Sequence, residues 1–149
     1  MTSYKNHIGI DMGKLTFVVC LYNSKETHEY ENSPAGIEQF IQAVSPPVLL
    51  HSLCVLETTG GYELELLYTL LQRGFPVHRA DTRKVKHFIR SYGKNAKTDS
   101  LDAKALAHYG YEREPSLPLF ERSSIVDEKL LHLVQRRRDL TGMLVAEKN

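Results

Sequence analysis

The pattern of apolar and polar residues near the N-terminus predicts a β-hairpin followed by a strand at a sheet edge. Residues 7–22 contain two runs rich in β-branched and aromatic residues, and Met12-Gly13-Lys14 between them suits a tight turn. The first run ends at Asp11, a carboxylate that does not belong in an apolar core. Residues 28–31 are polar enough for an edge strand.

A helix and a buried strand are predicted next. Ser33 and Pro34 are typical of a helix start, and apolar side chains recur at helical spacing until Pro46-Pro47 stops the helix. Residues 51–56 form a short, mostly apolar run that suits a strand buried on both faces. This strand leads directly to Glu57.

The rest of the chain alternates between helical patterns and one further strand. Leucines at helical spacing predict a helix over residues 62–72, with Gly74 at its C-terminal end. The remaining predicted elements are a strand over residues 76–80, a basic helical segment, a loop over 91–97, a helix opened by Asp99 and Asp102 that runs to about residue 113, and one long helix from residue 125. Strands interleaved with helices predict an α/β fold.

Length and composition indicate one domain. The chain has 149 residues, of which 42% are hydrophobic, and this is enough for one ordinary core. No run approaches the roughly 20 apolar residues that span a bilayer, and the N-terminus lacks a leader pattern. We therefore expect a soluble, cytoplasmic protein without a membrane partner. Cys20 and Cys54 lie in predicted strands, where free thiols behave as small buried hydrophobes, so we expect neither a disulfide nor a zinc site.

Charge is unevenly distributed although its net value is only +1. Residues 79–97 contain seven Lys or Arg residues against one Asp, whereas residues 98–128 contain seven acidic residues against three basic ones. A basic segment beside an acidic one suits an anionic polymer held next to a metal site, although such charge runs also occur on ordinary solvated surfaces. The candidates for contacts with a nucleic-acid backbone are Arg83, Lys84, Lys86, Arg90, Lys94 and Lys97.

Four acidic residues are candidates for one metal site. Asp99 and Asp102 are three residues apart and would share a face of a helix, although acidic residues at a helix start also simply complement the helix dipole. Asp11 and Glu57 follow predicted strands, and functional groups of open α/β sheets gather at the carboxyl ends of strands. Four carboxylates in one place would repel one another unless hard divalent cations lay between them. Two Mg²⁺ ions would suit phosphoryl transfer on nucleic acid.

Residues near these acids have less specific predicted roles. Gly60 and Gly61 are expected to shape a turn, and Tyr62 is as suited to packing as to ligand contact. Thr59 and Lys14 lie next to the acids and could hydrogen-bond a carboxylate or a phosphate, or could be purely structural.

Three local strings resemble a known protein family. They are Ile8-Gly9-Ile10-Asp11-Met12-Gly13-Lys14, Glu57-Thr58-Thr59-Gly60-Gly61-Tyr62 and Ala96-Lys97-Thr98-Asp99-Ser100-Leu101-Asp102-Ala103. The order of these acids resembles the RNase H-like (RuvC-like) nuclease superfamily, and the three strings together resemble the N-terminal DEDD domain of the IS110-family transposases, whose relatives include Piv-type invertases. The resemblance implies a central mixed β-sheet flanked by helices, with a long C-terminal helix.

The resemblance also implies an activity and a domain organisation. Asp11, Glu57, Asp99 and Asp102 would bind Mg²⁺ or Mn²⁺ in a catalytic domain over residues 1–122, and residues 123–149 would begin a helical connecting or dimerisation segment. In the family a separate C-terminal domain supplies a serine that attacks DNA, and a structured guide RNA bridges target and donor. We expect this serine domain to be absent from the chain, which would then be inactive alone. DNA, guide RNA and further copies of the full-length protein are the implied partners.

Other functions remain open from the sequence. Asp11-Met12-Gly13-Lys14 followed by β-forming residues also resembles the phosphate-binding hairpin of actin-like ATPases, and a RuvC-like nuclease would use the same acids. A further alternative is a non-catalytic module for nucleic-acid binding and dimerisation.

Overall fold

The computed structural model describes residues 4–92 and 102–121. Its strands are β1 (Asn6–Met12), β2 (Thr16–Leu21), β3 (His28–Glu31), β4 (Ser52–Glu57) and β5 (Val77–Ala80). Its helices are α1 (Pro34–Val44), α2 (Pro46–Leu49), α3 (Leu64–Gln72), α4 (Thr82–Arg90) and α5 (Ala103–Arg113), and a short 3-10 helix follows over Glu114–Ser116.

The strands form one mixed sheet in the order β3-β2-β1-β4-β5. Strand β1 pairs antiparallel with β2, and β2 pairs antiparallel with β3. On its other side β1 pairs parallel with β4, which in turn pairs parallel with β5. This order and these directions are those of the RNase H-like fold, so the predicted α/β architecture with a mixed sheet is confirmed.

Each face of the sheet packs against its own set of helices, because alternate residues of a strand point to opposite faces. Ile8 and Ile10 of β1 belong to the larger core, which includes Phe40 of α1 and Leu67 of α3. The opposite face carries a smaller core made with α4 and α5, whose members are Leu53, Val55, Ala80, Val85, Phe88, Ile89, Leu106 and Tyr109. Strand β4 is therefore buried on both faces, as its apolar run indicated.

Local signals account for most helix ends. The Ser33 hydroxyl accepts a hydrogen bond from the backbone N–H of Gly36 at 3.1 Å, and Pro34 begins α1. Helix α1 ends at Val44, where Ser45 adopts a φ of 87°. The prolines stop α1 as expected, and they also begin the short helix α2.

The predicted start of the acidic helix is wrong. Helix α5 begins at Ala103, and Asp102 precedes it as an extended N-cap residue with φ −89° and ψ 175°. The carboxylate of Asp102 accepts a hydrogen bond from the N–H of Ala105 at 2.8 Å, which fixes the helix start at this point. Asp102 therefore lies before the first helical turn, and Asp99 lies outside the described residues, as do the predicted loop after Tyr92 and the long helix from residue 125.

Two further observations concern the thiols and membrane segments. Cys20 and Cys54 are free and buried on β2 and β4, and burial raises the pKa of the Cys54 thiol to about 12. Within residues 4–92 and 102–121, no helix has the length and apolar character needed to cross a membrane.

Candidate metal site at the carboxyl edge of the sheet

Asp11 and Glu57 are neighbours at the carboxyl edge of the sheet. Ile10 of β1 pairs with Leu56 of β4 in parallel register, so the next residues along the two strands are Asp11 and Glu57. Adjacent strands lie about 4.8 Å apart. Both residues share the sheet face of Gly9 and Val55, against which α5 packs. The predicted convergence of these two acids is therefore a feature of the strand pairing itself.

Helix α5 brings Asp102 to the same face, and Gly9 permits its approach. A β-carbon on residue 9 would lie 1.9 Å from the carbonyl oxygen of Ala103 and 2.4 Å from the backbone nitrogen of Ala107. No side chain larger than hydrogen fits between β1 and this helix. The first turn of α5 thus crosses β1 two residues before Asp11, with Asp102 at its end.

The proximity of these acids raises the pKa values of Asp11 and Glu57. Burial raises the pKa of Asp11, and the nearby Asp102 carboxylate raises it further. Burial is also the largest cause of the raised pKa of Glu57, followed by the charge of Asp11. The Thr82 hydroxyl, which donates to Glu57 at 3.4 Å, and the Lys86 ammonium act in the opposite direction. Without a cation, the edge therefore holds carboxylates that disfavour one another's charge.

The acids are near one another but do not form a closed ligand set. Within residues 4–92 and 102–121, no three His, Cys, Asp or Glu side chains are arranged to hold a metal ion. The donor chemistry nevertheless fits one class of ligand, because Mg²⁺ and Mn²⁺ prefer carboxylate oxygen and would offset the repulsion around Asp11. The fourth predicted acid, Asp99, lies outside the described residues.

The loop after Glu57 is organised by a residue that the sequence reasoning missed. Glu63 is fully buried, and one of its carboxylate oxygens accepts hydrogen bonds from Thr59 and from the N–H of Gly61. Its other oxygen accepts from the Arg79 guanidinium at 2.9 Å. Thr59 therefore bonds to Glu63, a carboxylate outside the four predicted acids. Gly60 and Gly61 have φ values of 73° and 111°, which confirms that they shape the turn.

The turns that follow the two acidic strands are also linked to each other. The side-chain amide nitrogen of Asn32 donates to the carbonyl of Gly13 at 2.9 Å and to the carbonyl of Tyr62 at 3.0 Å. The Tyr62 side chain is partly exposed and Lys14 is exposed, so neither belongs to the core.

Basic side chains lie on the exposed face of α4, beside the acidic edge. Val85, Phe88 and Ile89 bury the other face of this helix. A cleft of about 410 Å³, which Thr58, Thr82 and Arg83 help to line, lies at the start of α4 next to Glu57. The exposed basic residues that were predicted to contact nucleic acid are Arg83, Lys84, Lys86 and Arg90, while Lys94 and Lys97 lie outside the described residues.

These features define an RNase H-like α/β domain with acidic side chains at the carboxyl edge of its sheet and a basic helix beside them. The chain belongs to the IS110-type DEDD family, whose family model, described as transposase, matches residues 8–149. The predicted family membership is confirmed.

Individual relatives are similar to the chain over most of its length. The pilin gene-inverting proteins of Moraxella lacunata and Moraxella bovis are each 29% identical to it over 149 residues, covering 97% of this chain. The alignment covers 45% of each relative, so the chain spans about half the length of these proteins.

Two solved structures of Thermus thermophilus RuvC are also similar. One, in complex with a Holliday junction substrate, is 15% identical with a TM-score of 0.47, and the other is 16% identical with a TM-score of 0.43. Each similarity covers 76% of this chain and 98% of the RuvC chain.

Proposed function

We propose that this chain contains the metal-binding catalytic domain of a DNA transposase or site-specific recombinase. The observation that carries the proposal is the parallel register that makes Asp11 and Glu57 neighbours, with Asp102 brought over them by α5 in a chain of the transposase family. In this proposal residues 1–122 form the catalytic domain and residues 123–149 begin a helical connecting or dimerisation segment.

The proposed ligands of the divalent cations are Asp11, Glu57, Asp99 and Asp102. Bound Mg²⁺ or Mn²⁺ would stabilise the charge that develops on the attacking and leaving oxygens of a phosphodiester. The described residues prepare this site in two ways. The Thr82 hydroxyl restrains the Glu57 carboxylate, and the N–H of Ala105 restrains that of Asp102.

DNA is the proposed substrate, and strand transfer is the proposed reaction. The basic face of α4 would hold the phosphate backbone next to the acids, because exposed lysine and arginine side chains neutralise phosphate charge without reading sequence. We propose that the attacking serine belongs to a second domain and that the 149 residues alone do not recombine DNA. A structured guide RNA and further copies of the full-length protein are proposed partners.

A second candidate function is a nucleic-acid-binding and dimerisation module without chemistry of its own. It is favoured by the open arrangement of the acids, since no three of the described His, Cys, Asp or Glu side chains reach a metal-ligating geometry. The two candidates differ in whether the carboxylates take up a divalent cation with an affinity that depends on Asp11 and Asp102.

Calorimetric titration with Mn²⁺ tests the proposal. Asp11→Asn and Asp102→Asn should each weaken Mn²⁺ binding by about tenfold or more, because each removes one charged ligand oxygen. Glu29→Gln, an exposed acid on the edge strand β3, is the matched control and should bind as the wild type does. Equal Mn²⁺ binding by all four proteins would contradict the metal site and favour the binding module. ATP turnover by the wild type would instead support an actin-like ATPase.

A further inference from the structure

Glu63 is a buried carboxylate at a position where an apolar side chain would be easier to accommodate. It immediately precedes α3, and none of its surface is exposed. Burying a carboxylate is strongly unfavourable unless hydrogen bonds replace its lost water. Four hydrogen bonds do so here, three to one oxygen from the loop and one to the other oxygen from Arg79. Such complete pairing indicates that the carboxylate has a specific structural task.

The hydrogen bonds of Glu63 begin two residues after Glu57. Glu57 pairs with Ala80 at the end of the sheet, and the N–H of Thr58 extends this pairing by donating to the Ala80 carbonyl at 3.4 Å. The next N–H, that of Thr59, donates to Glu63 at 3.2 Å, and that of Gly61 donates to it at 3.0 Å. Three of the four backbone N–H groups that follow Glu57, those of Thr58, Thr59 and Gly61, therefore donate hydrogen bonds.

Arg79 connects this loop to the neighbouring strand. It pairs with Leu56 in the parallel register of β4 and β5, one residue before Glu57. Because Arg79 alternates with Ala80, which packs against α4 and α5, its side chain lies on the opposite face of the sheet from Glu57. The Glu63–Arg79 pair therefore lies behind the acidic edge, on the other face of the sheet, although the charge of Glu63 also contributes to the raised pKa of Glu57.

The loop requires such an anchor. Gly60 and Gly61 both have positive φ values, and a β-carbon on Gly60 would meet no atom within 4 Å, so side-chain packing cannot hold the turn there. Glycine pairs have a large backbone entropy when they are not restrained. We infer that Glu63 is a positioning residue that fixes the turn over residues 58–61 and thereby holds Glu57 beside Asp11 for a divalent cation. The inference rests on the proposed metal site.

The test compares two double variants of the 149-residue chain that carry the same charge. Changing only one of the two residues would remove the opposite charge from the other, which is costly for the buried Glu63 and the partly buried Arg79, so Arg79→Met is included in both. Glu63→Gln/Arg79→Met keeps an acceptor oxygen for Thr59 and Gly61, whereas Glu63→Met/Arg79→Met removes it. The first variant should bind Mn²⁺ within about threefold of the wild-type affinity, and the second should bind about tenfold or more weakly, as expected for a residue that supports a metal ligand.

Amide hydrogen exchange provides the readout for the loop. The Thr59 and Gly61 amides should exchange slowly in the wild type and in the Gln/Met variant, and rapidly in the Met/Met variant. If the Met/Met variant binds Mn²⁺ as tightly as the wild type while Asp11→Asn does not, the positioning role is overturned and the metal site stands. Weak Mn²⁺ binding by a folded Gln/Met variant with slow loop exchange would also overturn it. If the wild type binds no Mn²⁺, both proposals fail.

Discussion

Gly9 of β1 and Ala103 of α5 are in direct backbone contact, since a β-carbon on Gly9 would lie 1.9 Å from the Ala103 carbonyl oxygen. Asp102 caps the helix at this contact, and Asp11 follows on the same face of the strand. The distance between the two carboxylates is therefore set by how closely the helix approaches the strand. The glycine between Ile8 and Ile10 is what allows that approach.

Gly9→Ala should destabilise the protein by about 2–3 kcal/mol or more, because backbone atoms on both sides of the contact cannot move aside independently. Gly110→Ala, on the facing helix α5, is the matched control. Its β-carbon would have one close contact, 2.7 Å from a side-chain methyl of Val55, whereas that of Gly9 would meet two backbone atoms within 2.4 Å, so Gly110→Ala should cost less. Urea unfolding measures both free energies, and an equal or smaller loss for Gly9→Ala would contradict the proposed close approach.

The metal-free protein should lose stability as pH rises through the raised pKa values of Asp11 and Glu57. Burial raises both pKa values above those of the unfolded chain, and so do neighbouring carboxylates, Asp102 for Asp11 and Asp11 for Glu57, so the protonated forms are favoured in the fold. Their contribution is fully present below the ordinary acid pKa of about 4 and is lost as pH rises through the higher folded values.

Asp11→Asn should therefore raise the melting temperature of the metal-free protein at pH 7 and have little effect at pH 3. Differential scanning calorimetry in the presence of a chelator measures this difference. With Mn²⁺ at pH 7 the wild type should have the higher melting temperature, since the added cation stabilises only the wild-type carboxylate cluster. If Asp11→Asn melts at a lower temperature than the wild type at pH 7 without metal, the repulsion among these carboxylates is contradicted.

The strands and their acids were predictable because their signals are local. β3 was predicted at residues 28–31 and is observed there, since its polar sequence already suited an edge strand. Glu57 was placed at the end of a buried strand, and the structure confirms that position. These assignments needed only alternation, apolar runs and turn residues.

Long-range contacts explain what the sequence did not reveal. Aspartate is equally suited to the first turn of a helix and to its N-cap, so the sequence around Asp102 could not decide between them. Asp102 is the N-cap of a helix that packs against Gly9, and this contact joins residues that are far apart in the sequence. Glu63 looked like an ordinary helix former, and its burial depends on Arg79, which is 16 residues later and on a different strand.

Protonation of His78 should destabilise the protein in mildly acidic solution. Its Nδ1 lies 2.7 Å from the carbonyl oxygen of Pro118 and can donate a hydrogen bond to it. Burial lowers the pKa of His78, and the charge of Lys84 lowers it further, although the hydrogen bond to Pro118 opposes these effects. Because the folded pKa lies below the ordinary value, the stability contributed by neutral His78 is present above about pH 6.5 and is lost as pH falls through the folded pKa.

His78→Gln should abolish this part of the pH dependence, since glutamine can still donate to the Pro118 carbonyl but does not titrate. The difference in unfolding free energy between wild type and His78→Gln should change in favour of the variant between pH 7 and pH 5. His51→Gln, at an exposed position, is the control and should show no such change. A constant difference between wild type and His78→Gln would contradict the role of His78.

Binding of DNA should depend on salt through the exposed basic face of α4. Each phosphate contact removed lowers the slope of log affinity against log salt concentration by about 0.9. Arg83→Gln/Lys84→Gln should therefore reduce the slope by about 2 and weaken binding similarly for unrelated duplexes, because backbone contacts do not read sequence.

Lys86 is left intact, since its charge lowers the pKa of Glu57. Lys25→Gln, at an exposed position before β3, is the control. Fluorescence anisotropy between about 50 and 200 mM salt measures the slopes, and equal slopes for wild type, control and double variant would show that this face of α4 does not hold the DNA.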